Sequence, residues 1–479
     1  MTNANPLLAS IENSSVTENG CATGASSFSA SVDLFFQIAA MRSRNDEDIL
    51  SLFYAAFDEN REYAVKTLFY ARDVRRGQGE RRIFRLIVEN LAVTNPEVVR
   101  ANLANIPEFG RWDDLLCLLL TPVGKDALDL IASALRDGNG LAAKWMPREG
   151  SSRTYLASMI RNHMGLNPKA YRKLLSGLTK VVETQMCDRE WMDIDYSHVP
   201  SKAMNIYKSA FARHAPTEWT EFLGNVEAGT AKVNSSVLYP HEVLSGVFDG
   251  GQSADEKRMV QAQWDALPNY MIKNPYRILP VIDVSGSMMS GGTGSVTPMD
   301  VSVALGAYIA DRNNGPFKDY FITFSATPEL LKLEGNGICD KTNNLRRTSW
   351  GYNTNIEAVF QLILIHAVRN RVSADDMPNQ ILILSDMEFD AAESGTDETA
   401  IETLRGYYAN AGYEVPKIVF WNLNAKGNNV PVRFDEDGTA LVSGFSPVIL
   451  TSLLSAEDFT PEGIMFKTIL SERYEKVVV

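Results

Sequence analysis

The sequence contains few of the residues that bind zinc or form disulfide bonds, with only four cysteines and five histidines among 479 residues. The cysteines are far apart and form no CxxC pair, and the histidines are equally dispersed. This spacing favours neither a disulfide framework nor a zinc site.

Long apolar runs are also missing. No stretch approaches the roughly 18 apolar residues that a membrane-spanning helix requires. The first residues lack the basic and apolar regions of a signal peptide. We therefore expect a cytoplasmic protein that has no membrane partner.

Positive charge is in deficit, since 46 lysines and arginines face 59 aspartates and glutamates. Residues 1–270 carry a net charge of −4, and the remaining residues carry a net charge of −9. The acidic C-terminal part would attract cations and repel phosphates.

Hydrophobic periodicity predicts two domains preceded by an arm. Residues 1–30 are rich in Ser, Asn, Thr and Gly and are expected to be disordered. Residues 31–270 show successive helical patterns separated by Gly, Pro and Asn, which predicts an α-helical repeat domain, a HEAT-like solenoid. Helices are expected at 46–57, 62–75, 80–93, 98–104, 112–120 and 125–135, and at about 155–182 and 201–226.

The pattern changes after Asn274-Pro275, where strands begin to alternate with helices. Such alternation predicts an α/β doubly wound, Rossmann-like domain over residues 274–479. Strands are expected at 277–283, 319–325, 380–386, 416–423 and 440–445. Helices are expected at 299–312, 355–370, 398–411, 447–454 and 462–475.

Five residues of this second domain have side chains that suit a hard divalent cation. Asp283, Ser285 and Ser287 follow one buried strand, Asp386 ends another, and Thr354 lies in a polar loop ahead of a helix. Hydroxyl and carboxylate oxygens at the carboxyl ends of parallel strands favour Mg²⁺, with Mn²⁺ and Ca²⁺ as alternatives. The set would leave a coordination position open for an acidic group of a partner.

This arrangement resembles the von Willebrand factor A (vWA) family. The metal-ion-dependent adhesion site (MIDAS) of that family is Asp-x-Ser-x-Ser with a distant Thr and a distant Asp. All of these positions are filled here in the same order, over roughly residues 274–479. The resemblance implies a metal-dependent domain that binds a protein partner through an Asp or Glu side chain.

The upstream half resembles the domain-of-unknown-function 2828 family. The resemblance is carried by residues 69–81, by Gly-Arg-Trp-Asp-Asp-Leu-Leu at 110–116, by Ala-Lys-Trp-Met-Pro-Arg at 143–148 and by residues 181–187. The architecture is similar to the Ro autoantigen (TROVE) family, in which helical repeats carry an A domain and bind small structured RNAs. That similarity implies a ribonucleoprotein.

Two basic segments are candidate RNA-binding surfaces. In the first, arginines bracket the turn Gly77-Gln78-Gly79, whose free N–H groups would complete an anion site; they include Arg72, Arg75, Arg76, Arg81 and Arg82. Helix capping and pairing of these arginines with Asp73 and Glu80 are the alternative.

The second segment, residues 144–180, combines basic residues with Trp145, Tyr155 and Tyr171 and with a single acid, Glu149. Such a face could neutralise phosphates and stack bases, although solvated helix faces also collect Lys and Arg. Its candidate residues are Lys144, Arg148, Arg153, Arg161, Lys169, Arg172 and Lys173, with Lys180 at the end.

We therefore expect a non-enzymatic RNA-binding protein with a metal-dependent vWA domain. The alternative is a protein-interaction module or adaptor that captures a partner carboxylate through the metal. A metal-assisted hydrolase is disfavoured, because no general base, nucleophile–histidine pair or second-metal carboxylate cluster accompanies the site.

Overall fold

A computed structural model describes residues 12–179, 181–235, 237–248, 252–290, 296–325, 327–347, 354–390 and 400–479. The chain forms two compact units. The first comprises residues 1–60 and 238–469, and the second comprises residues 61–237 and 470–479. The first eleven residues of the predicted arm, Lys180 and loop residues 350–353 lie outside the described residues.

The first unit contains a six-stranded sheet. Its strands are β3 (Ile278–Asp283), β4 (Tyr320–Phe324), β5 (Leu330–Lys332), β6 (Gln380–Ser385), β7 (Lys417–Asn422) and β8 (Thr439–Ser443). They lie in the order β5-β4-β3-β6-β7-β8. All neighbouring strands pair in parallel except the edge strand β5, which is antiparallel to β4. Every residue of β3 and β6 is buried, as expected for central strands covered on both faces.

Helices cover this sheet. Helix Pro298–Arg312 begins at a capping box formed by Thr297 and Asp300. Its Gly306 allows close approach to β3, since a Cβ there would lie 2.3 Å from Ile282 Cδ1. The helices of the unit are Ala30–Gln37, Asp46–Glu59, Pro240–Phe248, Ala254–Asp265, Pro298–Arg312, Ile338–Arg347, Ile356–Asn370, Ala400–Ala411, Leu450–Ser455 and Pro461–Ile469.

The described part of the N-terminal arm is folded, which differs from the predicted disorder of residues 1–30. Strands β1 (Ser14–Val16) and β2 (Ala22–Gly24) pair antiparallel, and Gly24 also exchanges backbone hydrogen bonds with Val430. The arm ends at Ser29, which caps helix Ala30–Gln37. Low hydrophobicity misled the prediction because hydrogen bonds hold this hairpin, both its own backbone pairing and the side-chain bonds of Thr17 and Asn19.

The second unit is helical. Its helices are Arg61–Arg72, Arg82–Thr94, Pro96–Ala101, Asn105–Phe109, Gly124–Arg136, Gly140–Trp145, Thr154–His163, Pro168–Leu178, Val182–Cys187, Ser201–His214 and Pro216–Glu227. Residues Trp112–Leu118 form a 3₁₀ helix. The last ten residues belong to this unit, where Arg473 pairs with Asp73 at 2.8 Å and Tyr474 stacks on Phe109.

The structure confirms a mostly helical N-terminal region followed by a mixed, mainly parallel sheet; the HEAT-like repeat stays a prediction. The compact units differ from the predicted domains 31–270 and 274–479. Residues 31–60 and 238–270, at the two ends of the predicted helical domain, belong to the same unit as the sheet. All four cysteines are free. None of the described helices is long and apolar enough to cross a membrane.

Candidate metal site and basic surfaces

The candidate metal site lies where the two central strands end. Strands β3 and β6 are parallel neighbours, with Ile282 beside Leu384. Asp283 is the last residue of β3, and Asp386 immediately follows β6. The two carboxylates therefore emerge at the same carboxyl edge of the sheet, the usual position of ligand sites in open α/β sheets.

Asp283 is fully buried, and both of its oxygens have partners. The Ser285 amide donates to Oδ1 at 2.8 Å, and the Ser385 hydroxyl donates to Oδ2 at 2.6 Å. Burial, followed by the negative charge of Asp386, raises the pKa of Asp283 to about 7. The two buried acids thus lie close enough for the charge of one to act on the other.

The serines of the Asp-x-Ser-x-Ser segment also converge. Ser285 begins a 3₁₀ turn over Gly286–Met289, and this turn places the Ser285 and Ser287 hydroxyl oxygens 3.0 Å apart. Ser285 is buried. Both oxygens therefore face a common point next to Asp283.

Lys426, which the sequence reasoning missed, completes this group. Its Nζ lies 3.2 Å from Asp386 Oδ2 and donates to the Ser287 carbonyl at 2.9 Å. No local sequence pattern could have indicated Lys426, because it arrives from the loop after β7, forty residues beyond Asp386. The lysine supplies one positive charge between the loops.

Thr354 is buried beside the same edge of the sheet, but its hydroxyl is hydrogen-bonded to a residue outside the candidate set. The hydroxyl donates to the Glu388 carbonyl at 2.6 Å, and the Thr354 amide donates to Asp390 at 2.7 Å. No hydrogen bond among the described residues joins Thr354 to the other four candidates. The structure thus brings four of the five candidate residues together and places Thr354 alongside them.

The chain after Asp386 turns away from the strand direction. Met387 has a φ of +66°, a left-handed conformation that is strained for this side chain. Strand β6 ends at Ser385, so strand alternation does not orient Glu388. Glu388 is nevertheless buried, and burial raises its pKa although a hydrogen bond from the Glu18 amide opposes the shift.

The N-terminal hairpin borders the site. The Asn19 amide donates to the Glu388 carbonyl at 2.7 Å and reaches the Thr354 hydroxyl at 3.5 Å. The Thr17 hydroxyl donates to the Phe389 carbonyl at 2.5 Å. Sequence reasoning missed these contacts, since residues over 330 positions apart make them.

The donor set fits a magnesium-type ion. It consists of two carboxylates and three hydroxyls, and hard divalent cations prefer oxygen ligands. The described residues contain no group of three or more His, Cys, Asp or Glu side chains placed to hold a metal ion. Any ion here would therefore depend on the hydroxyl groups as well as on Asp283 and Asp386.

The glycine turn of the first basic segment does not offer the free N–H groups that the sequence suggested. The amides of Gly77 and Gly79 donate to the Asp73 carbonyl, and the amide of Gln78 donates to the Tyr70 carbonyl. A Cβ on Gly77 would lie 2.0 Å from that Tyr70 oxygen. The prediction of an anion site at this turn is wrong, because these backbone N–H groups already donate to backbone carbonyls of the preceding helix and turn.

The arginines around this turn have different roles. Arg72 is 1% exposed and pairs with Asp114 at 2.7 Å, so it is structural rather than part of an RNA surface. The Arg75 side chain donates to the Glu108 carbonyl. Arg76, Arg81 and Arg82 have exposed side chains.

Asp113 and Asp114 are the centre of a larger ion-pair network. Arg85 bonds to both aspartates, at 2.8 and 2.7 Å, and Arg111 bonds to Asp113 at 2.8 Å. The Arg111 guanidinium lies 3.7 Å from the centre of the Trp145 ring. The network therefore joins the Gly-Arg-Trp-Asp-Asp motif to the Ala-Lys-Trp motif.

The second basic segment is partly paired. Arg148 donates to the Thr179 hydroxyl, and Arg161 pairs with Glu149 at 3.1 Å. Tyr171 is buried and bonds to the Pro147 carbonyl, which removes it from any stacking surface. Four candidate cations remain exposed: Arg153, Lys169, Arg172 and Lys173.

Comparisons with known proteins place these motifs in context. The family described as Domain of unknown function (DUF2828) matches residues 17–134 and 128–274, and the one described as Domain of unknown function (DUF7788) matches residues 277–476. An uncharacterized protein of Acanthamoeba polyphaga mimivirus is 30% identical over 95% of this chain and 87% of its own length.

Among solved structures, the crystal structure of the Deinococcus radiodurans RO (RSR) protein matches with 14% identity and a TM-score of 0.36. The alignment covers 92% of this chain and 93% of that one. This TM-score is too low to transfer a fold or a function.

Proposed function

This chain belongs to the DUF2828 family, and we propose that it is a non-enzymatic binding protein whose α/β unit is a vWA-like, metal-dependent module. Asp283, Ser285, Ser287, Thr354 and Asp386 would hold a divalent cation, Mg²⁺ by preference. When bound, the ion would offer an open coordination position to an Asp or Glu side chain of a partner protein.

The arrangement of Asp283 and Asp386 carries this proposal. Two buried carboxylates at adjacent strand ends repel each other, and a divalent cation between them would relieve that repulsion. The two serine hydroxyls, 3.0 Å apart, point to the same place. A polar turn with no ligand would gain nothing from burying two acids together.

The hydrogen bonds of the site support binding rather than hydrolysis. Ser285 and Ser287 bond to each other rather than to a histidine. Asp386 is bonded to Lys426 rather than to a histidine or a serine. These residues would position an ion, but they do not form a nucleophile–base pair.

Magnesium titration of the metal-free, full-length protein tests the site directly. We expect Mg²⁺ to raise the melting temperature of the wild type, and we expect Asp386→Asn and Ser285→Ala to lose this response. Ser455→Ala, an exposed serine on helix Leu450–Ser455 of the same unit, is the matched control and should respond like the wild type. An equal response in all four proteins would contradict the proposed site.

Partner capture tests the function of the module. Proteins that the wild type retains from its native cell in Mg²⁺ should be released by a chelator and absent with Asp283→Ala, as identified by mass spectrometry. Wild-type retention that persists undiminished in chelator, and that Asp283→Ala matches in Mg²⁺, would exclude capture through a metal.

We also propose that the helical unit binds structured RNA, so that the whole protein would be a ribonucleoprotein. Four exposed cations support this second function: Arg153, which precedes helix Thr154–His163, and Lys169, Arg172 and Lys173 on helix Pro168–Leu178. They lie in the less acidic part of the chain. Each phosphate neutralised by such a cation adds to the affinity at low salt.

Charge reversal tests the RNA surface. The triple variant Arg153→Glu, Arg172→Glu and Lys173→Glu should lose structured RNA at moderate salt, whereas Asp283→Ala should keep it. Unchanged RNA retention by the triple variant would remove these residues from the proposed surface.

A further inference from the structure

The ion-pair network around Asp113 and Asp114 contains more arginines than acids. Three guanidinium groups, those of Arg72, Arg85 and Arg111, share the two carboxylates at 2.7 to 2.8 Å. Both aspartates are buried, and each already bonds to two of these arginines. One positive charge remains in excess.

Arg81 adds a second positive charge to this network. Its side chain is exposed and forms no ion pair among the described residues. Partial desolvation of its guanidinium group, followed by the positive charges of Arg111, Arg85 and Arg72, lowers the pKa of Arg81, and Asp113 acts in the opposite direction. The nearby carboxylate of Glu80 is occupied by the backbone amides of Arg81 and Arg82.

Lys144 extends the same surface. Its Nζ lies 5.8 Å from the centre of the Trp145 ring, and Arg111 lies over that ring at 3.7 Å. Lys144 has no acidic partner within the described residues. Arg81, Arg111, Lys144 and Trp145 are hereafter called the Arg81 surface. It combines Arg81 and Lys144, which have no ion pair among the described residues, with Arg111 and a half-buried indole.

We propose that the Arg81 surface is a subsite for a backbone phosphate of RNA, held by the Arg81 and Arg111 guanidinium groups with Lys144 at its side. This inference rests on the proposed RNA function and assigns it a phosphate contact. Arg111 is oriented by its two bonds to Asp113, at 3.0 and 2.8 Å, so little entropy is lost when it meets a ligand.

The chemistry of the surface favours RNA over an acidic peptide. A phosphate accepts several hydrogen bonds from forked guanidinium donors. An indole next to cations is typical of sites where an unstacked nucleotide lies against the protein. An acidic peptide would use the cations but not the aromatic ring.

Fluorescence anisotropy with the full-length protein tests the subsite. The probes are a labelled structured RNA, a short single-stranded RNA and polyglutamate, measured between about 50 and 200 mM salt. The variants are Arg81→Gln and Lys144→Gln, which leave the Asp113 network intact. Arg213→Gln, an exposed arginine of the same unit without a described ion pair, is the matched control.

We expect each test variant to weaken RNA binding about tenfold, the cost of one charged hydrogen bond. Each should also reduce the salt slope by about 0.7 to 0.9. Arg213→Gln should keep the wild-type slope. Test variants that behave like Arg213→Gln, or that lose only polyglutamate binding, would overturn the subsite.

A second measurement separates this inference from the RNA function itself. If the wild type bound no RNA, the RNA proposal would fail. Pyrophosphate that stabilised the wild type against heat, but not Arg81→Gln, would then still support a phosphate subsite. Equal stabilisation of both proteins would overturn the subsite as well.

Discussion

Lys426 places its ammonium group 3.2 Å from a carboxylate oxygen of Asp386, at the edge of the sheet where a cation is expected. The same group donates to the Ser287 carbonyl. A lysine in this position neutralises part of the charge that would hold a metal ion. It therefore stabilises the metal-free protein and would compete with an ion.

Replacing Lys426 with methionine should strengthen metal binding. Methionine keeps the length of the side chain and removes the charge that repels a divalent cation. We expect Lys426→Met to raise the Mg²⁺ affinity on the order of tenfold, as measured by calorimetry. Lys467→Met, on an exposed helix position, is the control. A weaker affinity in Lys426→Met would show instead that the lysine helps to form the site.

Asp33 should make stability depend on pH. It is buried in helix Ala30–Gln37, and burial raises its pKa above the ordinary 3.8, although Ser26 and Ser27 donate to it. The folded state thus binds the proton more tightly than the unfolded state. Protonated Asp33 therefore stabilises the folded state fully below about pH 3.8, and this stabilisation is lost as the pH rises through the pKa of the folded state.

Asp33→Asn should remove this dependence, so its stability relative to the wild type should increase with pH above about 4. Urea unfolding across that range provides the measurement. The exposed Asp58→Asn in the neighbouring helix serves as control. Parallel curves for the wild type and Asp33→Asn would show that Asp33 does not titrate differently on folding.

Gly110 should not tolerate a side chain. A Cβ there would lie 2.3 Å from Asp114 Oδ2 and 2.8 Å from Arg72 Nε, inside the buried ion pair. Gly110→Ala should cost about 3 kcal/mol, because breaking such a pair leaves a buried charge. Gly177→Ala, in a helix with open space around it, should instead stabilise by about 0.5 to 1 kcal/mol. Similar unfolding midpoints for the two variants would contradict this contrast.

Arg371 should be improved by glycine. It ends helix Ile356–Asn370 with a φ of +53° and a ψ of +46°, a left-handed conformation that costs a residue with a Cβ about 1 kcal/mol. Arg371→Gly should raise the free energy of unfolding by about 1 kcal/mol, measured as a higher midpoint of urea unfolding. Arg369→Gly, two residues earlier within the helix, should lower it. A loss of stability in both variants would mean that the Arg371 side chain makes a contribution of its own.

The sheet was largely readable from the sequence. Five of its six strands begin within one residue of their predicted starts, because central parallel strands are continuous apolar runs. The edge strand β5 was missed, since three partly exposed residues carry no such signal. The hairpin β1–β2 was missed for a related reason, because its pairing uses only backbone groups.

Basic residues were harder to interpret. Arg72 and Arg81 are nine positions apart and equally charged. Arg72 is buried against Asp114, whereas Arg81 is exposed and has no ion pair in the part of the chain that the structure describes. Charge patterns along the chain do not distinguish these cases. The distinction depends on which acids reach each arginine from other helices.

The sequence by itself determined the chemical character of the candidate site, because Asp283, the two serines and Asp386 follow apolar runs that are typical of central strands. Only the tertiary structure decided which distant groups join them. Lys426 and Asn19 contact the candidate metal site from distant loops, and three arginines contact Asp113 and Asp114 from different elements. These contacts form only when distant segments pack together, and a local sequence pattern contains no information about that packing.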